Sequence, residues 1–113
     1  MKVTILIKGD PFSWKSHEAL RVGLALGINH EVLIIFFKDG IYTLTRCNWE
    51  NLLISGFEKL IENLEYVNVK LFVEDLSAEE RGLKREEFVK EVEFINTEQI
   101  KRMIASSAAV LVW

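Results

Sequence analysis

Apolar positions along the chain alternate between two spacings. Lys2–Lys8 (KVTILIK) is apolar or β-branched at almost every position, the pattern of a strand covered on both faces. Gly9, Asp10, Pro11, Phe12 and Ser13 break that run. From Ser16 the period changes. Ala19, Leu20, Val22, Gly23, Leu24 and Ala25 recur at helical spacing, while Lys15, Glu18 and Arg21 fall on another face. Ser13 and Ser16 are the candidate caps of this helix, and Gly27 is its expected stop. Gly23 costs about 1 kcal/mol against alanine inside a helix, so it predicts close packing on a sheet. Glu31–Phe37 is a second buried strand, ended by Asp39-Gly40. Ile41–Arg46 fits either a short helix or a loop. Asn48 reads as a cap, and Leu52, Leu53, Phe57, Leu60, Ile61 and Leu64 form the stripe of the helix that follows. Asn68–Val73 is a third strand, and Leu76–Leu83 a short helix closed by Gly82. Phe88–Phe94 alternates apolar and charged residues and reads as a half-exposed strand. Thr97 caps a helix to about Ser106 or Ser107, and Ala109–Trp113 is the last strand.

The order β-α-β-α-β-(α)-β-α-β predicts one domain over residues 1–113. Right-handed crossovers then give an α/β fold, a flavodoxin-like three-layer sandwich with a mostly parallel five-stranded sheet. Ligands of such sheets sit beyond the carboxyl ends of the strands. Those ends carry Gly9–Trp14, Lys38–Tyr42 and Glu74–Ser77, and function is expected there.

Composition narrows the classes. The chain has 113 residues, half of them hydrophobic and 27% charged, which fits one compact globular domain rather than a disordered or low-complexity segment. No apolar run has the length of a membrane helix, and the first residues do not form a signal peptide, so a soluble cytoplasmic protein without membrane contact is expected. A net charge of −3 supplies no basic footprint for direct grip on nucleic acid. A single cysteine makes no internal disulfide, and with two histidines it leaves too few ligands for a structural zinc site. No metal or cofactor is expected.

Several enzyme classes fail on their motifs. The turn after the first strand, KGDPFSWK, lacks the spaced glycines of a dinucleotide loop and the Gly-Lys-Ser of a P-loop. Ser13 and Ser16 are too few for a flavin phosphate loop. Asp10 and Asp75 partly match the acids of a response regulator, but its lysine after the fifth strand is missing. Glu79-Glu80 and Glu86-Glu87 lie among Arg81, Lys84, Arg85 and Lys90 and read as a solvated, salt-bridged surface. His17 and His30 read as surface or boundary residues. Asp10, Asp39 and Glu74 are a weak candidate pocket, in which converging acids would favour a cation or an amine. Cys47 is the one candidate sulfur nucleophile. It follows Arg46 and precedes a helix start, features that lower a thiol pKa, although free cysteine most often fills space in a core. Phe12, Trp14, Tyr42, Trp49 and Trp113 fall in or beside predicted loops and the last strand. They are candidate interface anchors, with folding back onto their own core as the alternative.

Taken in order, these segments resemble the DsrE/DsrF-like sulfur-relay proteins, and within them the TusC/DsrF branch. The resemblance rests on Pro11-Phe12-Ser13 after an apolar strand, then Glu18-Ala19-Leu20 and Leu24-Ala25. It continues through Phe36-Phe37-Lys38-Asp39-Gly40-Ile41-Tyr42 and Ser77-Ala78-Glu79-Glu80-Arg81-Gly82-Leu83 to the closing Val110-Leu111-Val112-Trp113. It implies a protein working in a hetero-oligomer with TusB/TusD-like (DsrH/DsrE-like) paralogues, or in a homo-oligomer, that passes persulfide sulfur to an acceptor protein. In the TusBCD case the destination is 2-thiolation of the tRNA wobble uridine. The carrier cysteine of the active subunit in such complexes lies just after the third strand. Here that segment reads Val73-Glu74-Asp75-Leu76-Ser77, without a thiol. The resemblance therefore implies a non-catalytic partner subunit. Cys47 as a persulfide carrier, or a small-molecule-binding module at the strand ends, are the alternatives.

Overall fold

A computed structural model describes residues 1–9, 14–45, 61–88 and 91–113, with the side chain of Trp14 excepted. Five strands form one sheet in the order β4-β3-β2-β1-β5: β1 (Lys2–Ile7), β2 (Glu31–Phe36), β3 (Val69–Glu74), β4 (Glu93–Ile95) and β5 (Ala109–Val112). Every pairing is parallel. Helices are α1 (Trp14–Gly27), α2 (Asp75–Glu80) and α3 (Thr97–Ser106). A 3₁₀ segment, Lys38–Leu44, follows β2.

The strand order dictates the layers. From β1 to β4 the chain always steps the same way across the sheet, so right-handed crossovers keep those connections on one face. Only the return from β4 to β5 runs the other way, and it carries α3 to the second face. The first face holds the larger core: Val3, Ile5, Ile7, Val32, Ile34 and Phe36 packed against Ala19 and Leu20 of α1. Gly23 is where α1 touches the sheet, as its sequence position predicts. A Cβ there would lie 3.0 Å from Ile34 Cδ1, tighter than side chains ordinarily pack. The second face holds Leu33, Ile35, Phe72 and Ile95 under Ile100 and Met103 of α3. Thr4 on β1 meets Ser107 just past α3 in a 2.5 Å hydroxyl–hydroxyl hydrogen bond.

Three assignments differ from the sequence reading. Of the strand expected over Phe88–Phe94, the described residues form strand only from Glu93, in a strand that runs to Ile95. A 3₁₀ turn at Arg85–Glu87 redirects the chain, and Phe88 instead forms an isolated antiparallel bridge with Thr45. Phe88 and Val92 are buried on the first face, and the Phe88 ring meets Phe94 edge-on at 5.6 Å, so core packing produced the apolar rhythm that alternation imitated. The cap of α3 is Asn96, one residue before Thr97. Asn96 and Gln99 exchange side-chain and backbone hydrogen bonds at 2.9 Å in a capping box. Ser16, expected as a cap of α1, lies inside it and donates its hydroxyl to Gly9 O at 3.0 Å. Ser13, and the helix expected from Asn48 to Leu60, lie outside the described residues. Ile61 and Leu64 close that stripe as buried residues.

Candidate functional site at the carboxyl ends of the strands

Two of the three chain segments expected at the carboxyl ends meet there, the 3₁₀ segment after β2 and α2 after β3. The meeting is tight. Gly40 presses on the end of β1, where an added Cβ would fall 2.1 Å from the carbonyl oxygen of Ile7. Only glycine fits that approach. Two residues earlier, Lys38 takes a φ of 51°, a left-handed backbone that costs a lysine about 1–2 kcal/mol. The hydroxyl of Ser77 holds this turn, accepting the Lys38 N–H at 2.8 Å and donating to Glu74 Oε1 at 2.5 Å. Ser77 is only 3% exposed.

Arg81 ties the same two segments together from outside. Its Nη2 and Nε donate to Asp39 Oδ1 at 3.0 and 3.2 Å, and its Nη1 donates to Ser77 O at 3.2 Å. Glu80 adds a carboxylate 3.7 Å from Nη1. α2 ends as the sequence reading expects. Gly82 adopts a φ of 65°, its N–H donates to Glu79 O, and Leu83 N–H donates to Ala78 O. That Schellman ending turns the chain so that Arg81 faces Asp39.

Of the candidate pocket acids, Asp39 is thus paired with Arg81 and Glu74 with Ser77, while Asp10 lies outside the described residues. Tyr42 is half-buried, and its carbonyl accepts both the N–H and the hydroxyl of Thr45. Trp113 is half-buried against the first-face core, its backbone continuing the ladder with Leu6 O and Lys8 N. Phe12, Cys47, Trp49 and the side chain of Trp14 lie outside the described residues. His17 is buried on α1, and burial first, then the charge of Arg21, lowers its pKa from 6.5. His30 sits in the turn before β2, at the opposite end of the sheet, with Nδ1 buried and unpartnered. Among the described residues no group of three or more His, Cys, Asp or Glu side chains is placed to hold a metal ion.

Sequence reasoning missed Ser77 and Arg81 as members of one unit. Their four-residue spacing on a helix was readable, but the partners Lys38 and Asp39 lie about forty residues away, in the turn that the sequence reading placed at the end of the second strand.

The second notable surface is β5. It is an edge strand whose four residues, Ala-Val-Leu-Val, include none that is buried. Val110 and Val112 point to the second face and are 36% and 56% exposed.

An all-parallel sheet in this order, with a single helix on one face among the described residues and the 3₁₀ segment joined to α2 at the carboxyl ends, defines a small α/β sandwich of a particular kind. The chain belongs to the DsrE/DsrF-like family, whose model matches residues 1–113. That family is generally associated with sulfur relay. Solved structures agree on the fold. The YchN protein of E. coli superposes with a TM-score of 0.86 at 20% identity, over 100% of this chain and 99% of that one. MTH1491 of Methanobacterium thermoautotrophicum, described as a protein of unknown function, gives 0.72 at 14% identity, over 99% and 98%. No curated protein matches the sequence. Among the described residues no helix is long and apolar enough to cross a membrane.

Proposed function

We propose that this chain is a non-catalytic, TusC/DsrF-like subunit of a sulfur-relay complex, one that holds cysteine-bearing TusB/TusD-like paralogues in register for transfer to an acceptor protein. The observation that carries this reading is the state of the turn after β3. A relay carrier needs a thiolate there to form the S–S bond of a persulfide. Here the turn presents Glu74, Asp75 and Ser77, and the serine hydroxyl is buried and occupied by hydrogen bonds to Lys38 N and Glu74. Neither a carboxylate nor a hydroxyl carries sulfane sulfur. The role left to the chain is recognition, and the unburied apolar strand β5 supports it, since an apolar edge without charge or proline invites a neighbour. Tyr42 and Trp113, with Phe12, Trp14 and Trp49 from the sequence reading, are the proposed anchors. Thiolation of the tRNA wobble uridine is the proposed destination, reached through the acceptor and not through this chain's own grip on RNA.

The test is recovery of the tagged chain from its native cell, with the native mass of the complex and transfer of radiolabelled sulfur followed in wild type and Cys47→Ser. Small paralogues bearing a cysteine after their third strand are expected in the complex, and transfer is expected to survive the substitution. Loss of transfer with Cys47→Ser in an intact complex would make this chain a carrier itself.

A further inference from the structure

We propose that a notch on the β4 side of the sheet binds an extended, lysine- or arginine-bearing segment of another protein as an added strand beside β3. The notch arises from unequal strand lengths. β3 has six residues, but β4 has three and pairs only with Phe72–Glu74. Val32 N–H donates to Asn68 O on the β2 side, so alternation along a parallel strand turns the backbone groups of Val69 and Leu71 toward β4. There the ladder with β4 reaches only as far as the Leu71 carbonyl, through the Phe72–Glu93 pairing. Among the described residues, the Leu71 N–H and the Val69 C=O meet no strand partner.

The space beside them is a cleft of about 600 Å³, lined on the first face by Leu64, Val69, Leu71 and Val92 and at the rim by Glu91 and Glu93. The Val69 N–H is taken by Val67 O. The edge therefore offers the Val69 C=O and the Leu71 N–H, the pair that in a parallel ladder receives one residue's N–H and C=O. The flanking side chains of an extended segment alternate between the two faces of the sheet. Main-chain hydrogen bonds supply affinity in such strand addition, and flanking pockets supply selectivity.

Charge selects the occupant. Glu91 and Glu93 are exposed and have no cationic partner among the described residues. Among the described residues, the two cations nearby, Arg85 and Lys70, have partners of their own. Arg85 donates to Val92 O at 3.1 Å and lies 4.9 Å over the Phe94 ring, while Lys70 leans across the sheet to Glu31 at 4.0 Å. Among the described residues, the unpaired charges of the rim are therefore the acids Glu91 and Glu93. An apolar first-face position and basic second-face positions, alternating, are the complementary pattern.

The probe is a blocked pentapeptide alternating valine and lysine, titrated into the isotopically labelled full chain and followed by backbone amide shifts. The Val69–Leu71 amides are expected to move, and Leu71 N–H to gain protection from exchange. The double variant Glu91→Lys/Glu93→Lys, which alters only exposed side chains, is expected to weaken binding about ten-fold. A peptide N-methylated on the alternate residues that face β3 is expected to lose binding. Equal binding of the valine–glutamate pentapeptide, equal binding of the N-methylated one, or no shift at Val69–Leu71 at millimolar peptide would each overturn the proposal. None of these outcomes bears on the relay role, whose surface is the opposite edge.

Discussion

The carboxyl-end junction and the β5 edge are built on opposite rules. At the junction the chain fills its own cleft: a glycine touches a carbonyl, a lysine backbone is held left-handed, and serine, glutamate, arginine and aspartate satisfy one another. Along β5, an edge strand, Val110 and Val112 stay exposed on the second face while Ala109 and Leu111 pack on the first. In an open α/β sheet the carboxyl end is where a ligand is expected. Among the described residues, then, the junction of the 3₁₀ segment with α2, where a ligand would be expected, is taken up by internal contacts, and exposed apolar side chains lie at the sheet's side instead.

That contrast can be broken by substitution, beginning where the effect is greatest. Gly40→Ala places a methyl group against the Ile7 carbonyl and is expected to cost more than about 3 kcal/mol, read as a lower midpoint in urea unfolding. Ser77→Ala removes the acceptor for Lys38 N–H and the donor to Glu74, and an expected loss of about 1–2 kcal/mol follows in the same assay. Lys38→Gly should act in the opposite direction, raising stability by about 1 kcal/mol because the left-handed backbone is no longer strained. Val112→Asp on the edge is expected to change stability by less than about 0.5 kcal/mol while lowering the native mass of the recovered complex. An edge variant that unfolds the chain, or leaves the mass unchanged, would remove β5 from the proposed assembly surface.

The smallest effect is one of pH. The folded pKa of His17 is below its ordinary 6.5, so the unfolded chain binds the extra proton first as pH falls. Its contribution is present in full above 6.5 and is lost as pH drops below that value toward the folded pKa. Urea midpoints across roughly pH 5 to 7.5 should decline on the acid side, and His17→Gln should flatten that decline.

Much of the fold was legible because burial on both faces writes long apolar runs. β1, β2 and β3 were found within one or two residues, and the Gly82 ending of α2 followed from its glycine. Errors came where packing imitates period. Phe88, Val92 and Phe94 alternate with charges as a strand would, yet Phe88 follows a 3₁₀ turn and makes only a lone bridge to Thr45. The site was less legible. Asp39 and Glu74 were picked out as strand-end acids, but their partners Arg81 and Ser77 are set by a crossing of two distant segments. Local patterning carries no trace of such a crossing. The notch beside β3 was hidden for a similar reason, since it depends on β4 stopping short.

The Gly40–Ile7 contact also acts as a register pin. β1 and β2 pair with Ile7 opposite Phe36, and both strands are so uniformly apolar that a slip by one residue would still bury hydrophobic side chains. Sliding the turn by one position would bring Asp39 or Ile41 to the place of Gly40 and drive a side chain into the Ile7 carbonyl. Two strands with almost no polar mark to align them are thereby set in phase by the one residue that has no side chain.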